Sequence, residues 1–236
     1  MSGCAQNSRI RHYCSMPGGT LMRRKPARKI KASAVKNIFK FPSTKSFVEP
    51  CHRRYQMVLV ESMLEKDYCF HLEANPNVVV YFPQPKTFMV NSTLLKNREY
   101  TPDFEVHFRG GRKAYVEVKK DFSSLDTVYL HKLEIAAIEM RQAGYDFLCV
   151  DEPQIRINPL LQNLRKLQRY RDRLTSNSGT LTLLQNAVPH PRTLKDLIAN
   201  PLGIRLETIY KLIANGQITA NLSVAKLSLD AEVRYA

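Results

Sequence analysis

Three residues on two short strings could do hydrolytic chemistry together: Asp103 in Thr101-Pro102-Asp103-Phe104, and Glu117 with Lys119 in Val116-Glu117-Val118-Lys119. A phosphodiester resists attack because its anionic oxygens repel a nucleophile. Its hydrolysis calls for one or two hard cations, held by carboxylates, that clamp the attacking and leaving oxygens. Asp103 and Glu117 can supply those carboxylates. Side chains alternate between the faces of a strand, so Glu117 and Lys119 share one face while Val116 and Val118 point into the core. The Lys119 ammonium then stands beside a cation-binding carboxylate, where it can orient a water or lower its pKa. The plainer alternative is a charged pair on a solvated strand face, which needs no function.

These residues need elements to position them. Asp103 lies 14 positions before Glu117, a separation that suits adjacent strands at 100–108 and 113–119 joined by the turn Arg109-Gly110-Gly111-Arg112. Upstream, Val58, Val60, Met63, Leu64, Tyr68 and Leu72 follow an imperfect three-four spacing, which predicts a helix over 55–72 ending near Ala74-Asn75-Pro76. Glu61 and Glu65, four apart, would share one face of it. Residues 78–82 read as a buried strand stopped by Pro83-Gln84-Pro85, and 86–90 as another strand. The spacing predicts a helix over 126–143, closed by Gly144, and a last apolar strand at 146–150. The order is helix, strands, helix, strand, with the carboxylates on the middle strands.

The C-terminal third reads differently. Residues 158–174, rich in Leu and Arg, predict a basic amphipathic helix broken by Thr175-Ser176-Asn177-Ser178-Gly179. Helices at 180–185, 194–199 and 205–215, then a hairpin of 217–222 with 226–233, give the winged-helix order. Around its recognition-type helix, Arg205, Lys211 and Lys226 are offset by Glu207, Asp230 and Glu232. So balanced a surface is a poor major-groove reader, and protein docking is the favoured use.

Charge points to a nucleic-acid partner and locates its contact. Of 36 basic and 21 acidic residues, the first 55 positions hold 13 basic residues against Glu49 alone, which is +12 of the net +15. Such an arm gives salt-dependent, sequence-tolerant affinity by releasing phosphate counterions, and the cluster at 23–31 is its densest part. Its alternative use is as a solubilising tail. No apolar run approaches the ~18 residues of a membrane span, and no apolar core follows the basic N-terminus as in a secretory signal. Cys4, Cys14, Cys51, Cys69 and Cys149 are odd in number and irregularly spaced, as expected of free thiols in a reducing compartment. A zinc site from Cys51, His52, Cys69 and His71 is disfavoured, since adjacent positions converge poorly on a tetrahedron. There is no Gly-x-x-x-x-Gly-Lys string, so any ATP dependence must come from a partner.

The order of a helix glutamate, Pro-Asp and Glu-x-Lys resembles the PD-(D/E)XK nucleases. Four strings in series narrow it: Glu61-Ser62-Met63-Leu64-Glu65-Lys66-Asp67-Tyr68, Phe82-Pro83-Gln84-Pro85, Tyr100-Thr101-Pro102-Asp103-Phe104 and Val116-Glu117-Val118-Lys119. That series is similar to TnsA, the endonuclease subunit of heteromeric cut-and-paste transposases. By motif the resemblance covers residues 39–150, and by architecture it extends to the C-terminus. It implies an α/β, restriction-endonuclease-like mixed sheet flanked by helices, with a C-terminal all-helical or winged-helix domain. The division implied is a basic arm at 1–38, a nuclease domain at 39–153 and a winged-helix-like domain at 154–236.

Carried over residue by residue, the resemblance makes Asp103 and Glu117 metal-binding acids and Lys119 the catalytic lysine, with Val118 contributing its carbonyl. The helix glutamate falls at Glu65 when the Ser-x-Leu-Glu string is matched, with Glu61 as the fallback. Some TnsA proteins carry Gln where this chain has Glu117. The implied cofactor is Mg2+, with Mn2+ able to substitute. The implied partners are double-stranded DNA at transposon ends and flanks, an integrase-type transposase and an AAA+ ATPase regulator, with no membrane. The implied act is 5′ cleavage at the transposon ends while the partner cuts and joins the 3′ ends, in a bacterial cytoplasm and at the nucleoid when acting. Another PD-(D/E)XK DNA nuclease, of restriction or repair, and an inactive DNA-binding adaptor are the alternatives.

Overall fold

The computed structural model describes residues 38–46, 55–92, 98–172 and 178–236. Most of the basic arm, Cys4, Cys14, Cys51, His52 and the Thr175-Ser176-Asn177 break lie outside the described residues. In chain order the elements are β1 (Phe39–Ser43), β2 (Gln56–Val60), α1 (Met63–Ala74), β3 (Val78–Pro83), β4 (Phe88–Met89), β5 (Glu99–Tyr100), β6 (Phe104–Phe108) and β7 (Lys113–Lys119). There follow α2 (Thr127–Gln142), β8 (Asp146–Asp151), α3 (Glu152–Ile155), α4 (Leu160–Gln168), α5 (Ser178–Ala187), α6 (Leu194–Ile198), α7 (Leu206–Ala214), β9 (Ile218–Ala220) and β10 (Val233–Tyr235). The described residues form two compact units: 82–152 in the first, and those up to 81 together with 153–236 in the second.

The first unit is built on strands β6, β7 and β8 of a mixed sheet, in the order β6-β7-β8. Strands β6 and β7 pair antiparallel with Phe104 opposite Val116. The turn between them is a single 3-10 turn, Arg109–Gly111, in which Gly110 and Gly111 take φ of 80° and 83°, a region open chiefly to glycine. Strand β8 lies parallel to β7 with Glu117 opposite Cys149, a pairing that needs a crossover, and α2 supplies it. Asp126 caps α2 by accepting the Tyr129 N–H at 2.8 Å. Leu133, Ala136 and Met140 of α2 pack with Phe88, Val90, Tyr100 and Tyr115. The strand expected over 100–108 is interrupted. β5 stops at Tyr100, Thr101 to Asp103 leave the ladder, and β6 begins at Phe104. Pro102 has no N–H to give a ladder, so the break falls there.

The second unit corrects the predicted helix at 55–72. Its first third is β2, antiparallel to β1 with Phe41 opposite Val58. Val58 and Val60 are buried between exposed Met57 and Leu59, a period of two that β-branched residues favour, and the apparent helical spacing across Met63 was coincidental. Ser62 then starts α1 by accepting the Glu65 N–H at 3.0 Å. The helix expected over 158–174 is shorter, α4 ending at Gln168. Helices α5, α6 and α7 follow in the expected order, with Leu184, Leu194, Leu197, Ile209 and Leu212 in one core. The closing hairpin pairs β9 with β10, and its second strand lies later than the expected 226–233.

Buried carboxylates tie the second unit together. Glu73, with no exposed surface, accepts the Ser43 hydroxyl at 2.6 Å, the Thr44 hydroxyl at 2.5 Å, the Thr44 N–H and the Tyr81 hydroxyl at 3.0 Å. Lys45 closes the same corner by donating to the Leu72 and Asn75 carbonyls at the C-terminus of α1. Asp67, also on α1, is held by Arg165 of α4 at 2.5 Å and Arg156 at 2.9 Å. Removing an acceptor that satisfies so many buried donors costs their full desolvation. Glu73→Ala is expected to lower the unfolding free energy by about 3 kcal/mol, read as a lower urea midpoint, with Glu73→Gln losing about half as much.

Candidate active site

Strand β7 turns two facts of sequence into a site. Glu117 and Lys119 share a face, and extending the β6–β7 register by one residue places Asp103 opposite Glu117. Backbone and side chain both fix Asp103. Its carbonyl accepts the Gln84 N–H at 2.8 Å, and its Oδ2 accepts the Val118 N–H at 2.7 Å. Gln84, the third residue of Phe82-Pro83-Gln84-Pro85, holds that position at a φ of 44°, a left-handed conformation uncommon for a residue with a side chain.

Glu117 is 1% exposed, yet both of its oxygens are satisfied. The Tyr100 hydroxyl donates to Oε2 at 2.6 Å, the Tyr129 hydroxyl to Oε1 at 2.6 Å, and the Lys119 ammonium to the same Oε1 at 2.5 Å. Burial first, and then the Glu117 charge, push both phenols well above their ordinary pKa, so each stays protonated and donates. Burial alone would lower the Lys119 pKa. Asp103 and Glu117 outweigh it and hold the ammonium well above the usual lysine value.

Three hard oxygens therefore meet at one cationic nitrogen. Lys119 Nζ lies 2.5 Å from Glu117 Oε1, 3.2 Å from the Val118 carbonyl oxygen and 3.6 Å from Asp103 Oδ2. Among the described residues no group of three His, Cys, Asp or Glu side chains gathers for a metal. The set here is two carboxylates and a carbonyl, which suits Mg2+ rather than zinc: Mg2+ takes one or two carboxylates and keeps its remaining positions for water and phosphate. The ammonium marks the point where those oxygens converge.

Asp103, Glu117, Val118 and Lys119 are thus brought together within the first unit. Glu65 lies on α1 of the second unit, where its Oε2 accepts the Glu61 N–H at 2.9 Å. Glu61 precedes the Ser62 cap and is not on the helix, so the one-turn slip that made it the fallback has no basis. His131 lies 3.5 Å from the Ser92 hydroxyl. Sequence reasoning missed Tyr100 and Tyr129 as parts of the site. A tyrosine three residues before the key aspartate, and another in the first turn of the helix that follows β7, were the available signals.

A mixed sheet flanked by helices is the architecture of a restriction-endonuclease-like fold. Residues 75–152, about a third of the chain, match the family described as TnsA-like endonuclease N terminal, which is what this part of the chain is similar to. A comparison with curated proteins finds no match. Among the described residues no helix is long and apolar enough to cross a membrane.

Cys149, opposite Glu117 on β8, reports the electrostatics of this face. Burial, and then the Glu117 charge, push its thiol up to about 12. The neutral thiol is the form the fold favours, so the stability it contributes is complete below the unfolded-state value and declines as pH rises toward 12. At pH 8 only about one molecule in 10⁴ carries the thiolate. In folded protein, iodoacetamide labelling of the Cys149 peptide, followed by mass spectrometry, is expected to keep accelerating above pH 10. In denaturant it should level off near pH ~9.

Proposed function

We propose that this chain is the metal-dependent endonuclease subunit of a heteromeric transposase, cutting the 5′ ends of the transposon while an integrase-type partner cuts and joins the 3′ ends. The convergence of Glu117 Oε1, Asp103 Oδ2 and the Val118 carbonyl on the Lys119 ammonium supports this reading most directly. Asp103, Glu117 and Val118 would hold Mg2+, with Mn2+ able to substitute, and the resemblance adds Glu65 as the helix carboxylate. The cation would supply Lewis acidity and clamp the phosphate oxygens.

The protein's own groups supply the rest. Asp103 and Glu117 concentrate negative charge where a cation is needed, and the Val118 N–H keeps the Asp103 carboxylate turned toward it. Lys119, held protonated by these two acids, would stabilise the charge that develops on the phosphoryl oxygens. The basic arm at 1–38 would grip the phosphate backbone without reading sequence. The domain at 154–236, taken as winged-helix-like from its three helices and closing hairpin, would dock the transposase and an AAA+ regulator. Action on bacterial DNA in the cytoplasm follows from the same reading.

A reconstituted cleavage assay tests this. The purified chain is combined with its transposase partner, Mg2+ and DNA carrying transposon ends, and Asp103→Ala and Lys119→Ala are compared with wild type. Each variant is expected to lose at least about 10²-fold in 5′ cutting, and omission of Mg2+ should abolish it. Unchanged cutting by both variants would sink the site assignment, and cutting by wild type without the partner would sink the subunit reading.

A further inference from the structure

The two tyrosines on Glu117 come from different elements, and neither needs Glu117 to hold its place. Tyr100 ends β5, is 3% exposed and packs its ring into the core with Phe88, Tyr115 and Phe147. Tyr129 stands in the first turn of α2, where the Asp126 cap takes its N–H. Their hydroxyls reach opposite oxygens of one carboxylate, each at 2.6 Å.

A glutamate's terminal torsion is broad and roughly two-fold, so an unrestrained carboxylate samples many orientations. Two donors on opposite oxygens fix its plane. Each carboxylate oxygen has two acceptor sites: Oε2 keeps one beside the Tyr100 hydroxyl, and on Oε1 the second is held by the Lys119 ammonium, the place a cation would take. The ring of Tyr129 also lies 5.7 Å from Lys119 Nζ, which places this tyrosine against both charges of the site.

We propose that Tyr100 and Tyr129 are positioning residues, a two-hydroxyl clamp that fixes both oxygens of Glu117 in the orientation that receives the divalent cation. The clamp rests on the metal-dependent nuclease reading and deepens it. Partners of this kind, which touch a metal ligand and not the metal, typically contribute 10- to 100-fold in metal affinity or activity.

The test uses the full chain with Tyr100→Phe, Tyr129→Phe and the double variant. Tyr145→Phe, altered at a ring that stacks on Tyr115 in the same core, serves as the control. Mn2+ alone is titrated in and the free ion is followed by electron paramagnetic resonance, while circular dichroism verifies folding. Each single variant is expected to weaken Mn2+ binding by about 10-fold or more, with the control unchanged. In the reconstituted assay the Mg2+ concentration for half-maximal cutting should rise in parallel, with cutting recovering at saturating Mg2+. Folded variants that bind Mn2+ as wild type does would overturn the clamp and leave the nuclease reading intact. Wild type that binds no Mn2+, or binds it undiminished after Asp103→Ala, would overturn the nuclease reading and the clamp with it. If Tyr100→Phe does not fold, Tyr129→Phe decides alone, because its ring is half-buried and tolerates the loss of one oxygen.

Discussion

A carboxylate buried within a strand sets the terms for the rest of the first unit. Glu117 has 1% of its surface exposed, and a charge so placed is untenable unless donors surround it. Each donor comes from a separate element. Lys119 is the next residue on the same face of β7, Tyr100 is the end of β5, and Tyr129 is the start of α2. For all three to reach one side chain, β5 must stop where it does, the chain must bend through Thr101 to Asp103, and α2 must begin at the Asp126 cap. The bend that completes this shell also delivers Asp103 opposite Glu117, so satisfying the buried charge and assembling the acid pair are one structural problem.

The charges do not cancel. Two carboxylates against one ammonium leave the cluster one unit negative, which by itself repels a phosphodiester. The two carboxylates and the carbonyl are oxygen ligands of the kind a hard divalent cation takes. The ammonium already sits among them, which is why the convergence of oxygens is visible in the fold at all. Strand geometry keeps Lys119 at the site, since its backbone is paired with β8 opposite Asp151.

Much of this was legible in the sequence, for local reasons. The alternation in Val116-Glu117-Val118-Lys119 allows one strand reading, and the Asp126 cap and Gly144 bracket α2 with little ambiguity. Legibility failed where two periods coincide. Val58, Val60, Met63 and Leu64 satisfy a helical spacing, but the first two belong to a strand whose partner, β1, lies across a long connection that periodicity does not see. The tyrosine contacts were hidden for another reason. A tyrosine among apolar residues reads as core, and so it is, but its hydroxyl's partner depends on tertiary placement alone. Glu61 illustrates the reverse: four-residue spacing to Glu65 argued a shared helix face, while the cap at Ser62 excludes it from the helix.

Charge counted along the sequence overstates what is available to nucleic acid. Lys45, counted with the basic arm, spends its ammonium on the carbonyls that end α1. Arg165, part of the basic stripe of α4, joins Arg156 on the buried Asp67, and Lys166 reaches the Tyr210 hydroxyl and the Leu227 carbonyl. Burial lowers the Arg171 pKa and the nearby Glu73 charge opposes that shift, as for a cation facing the interior. A basic residue already paired with a buried carboxylate cannot also neutralise a phosphate without exposing that carboxylate's unmet charge. Arg165 on α4 is therefore better explained by the buried Asp67 of its own unit than by DNA. Counted along the sequence alone, the cluster at 23–31 has no acid within its own run and is the densest basic stretch.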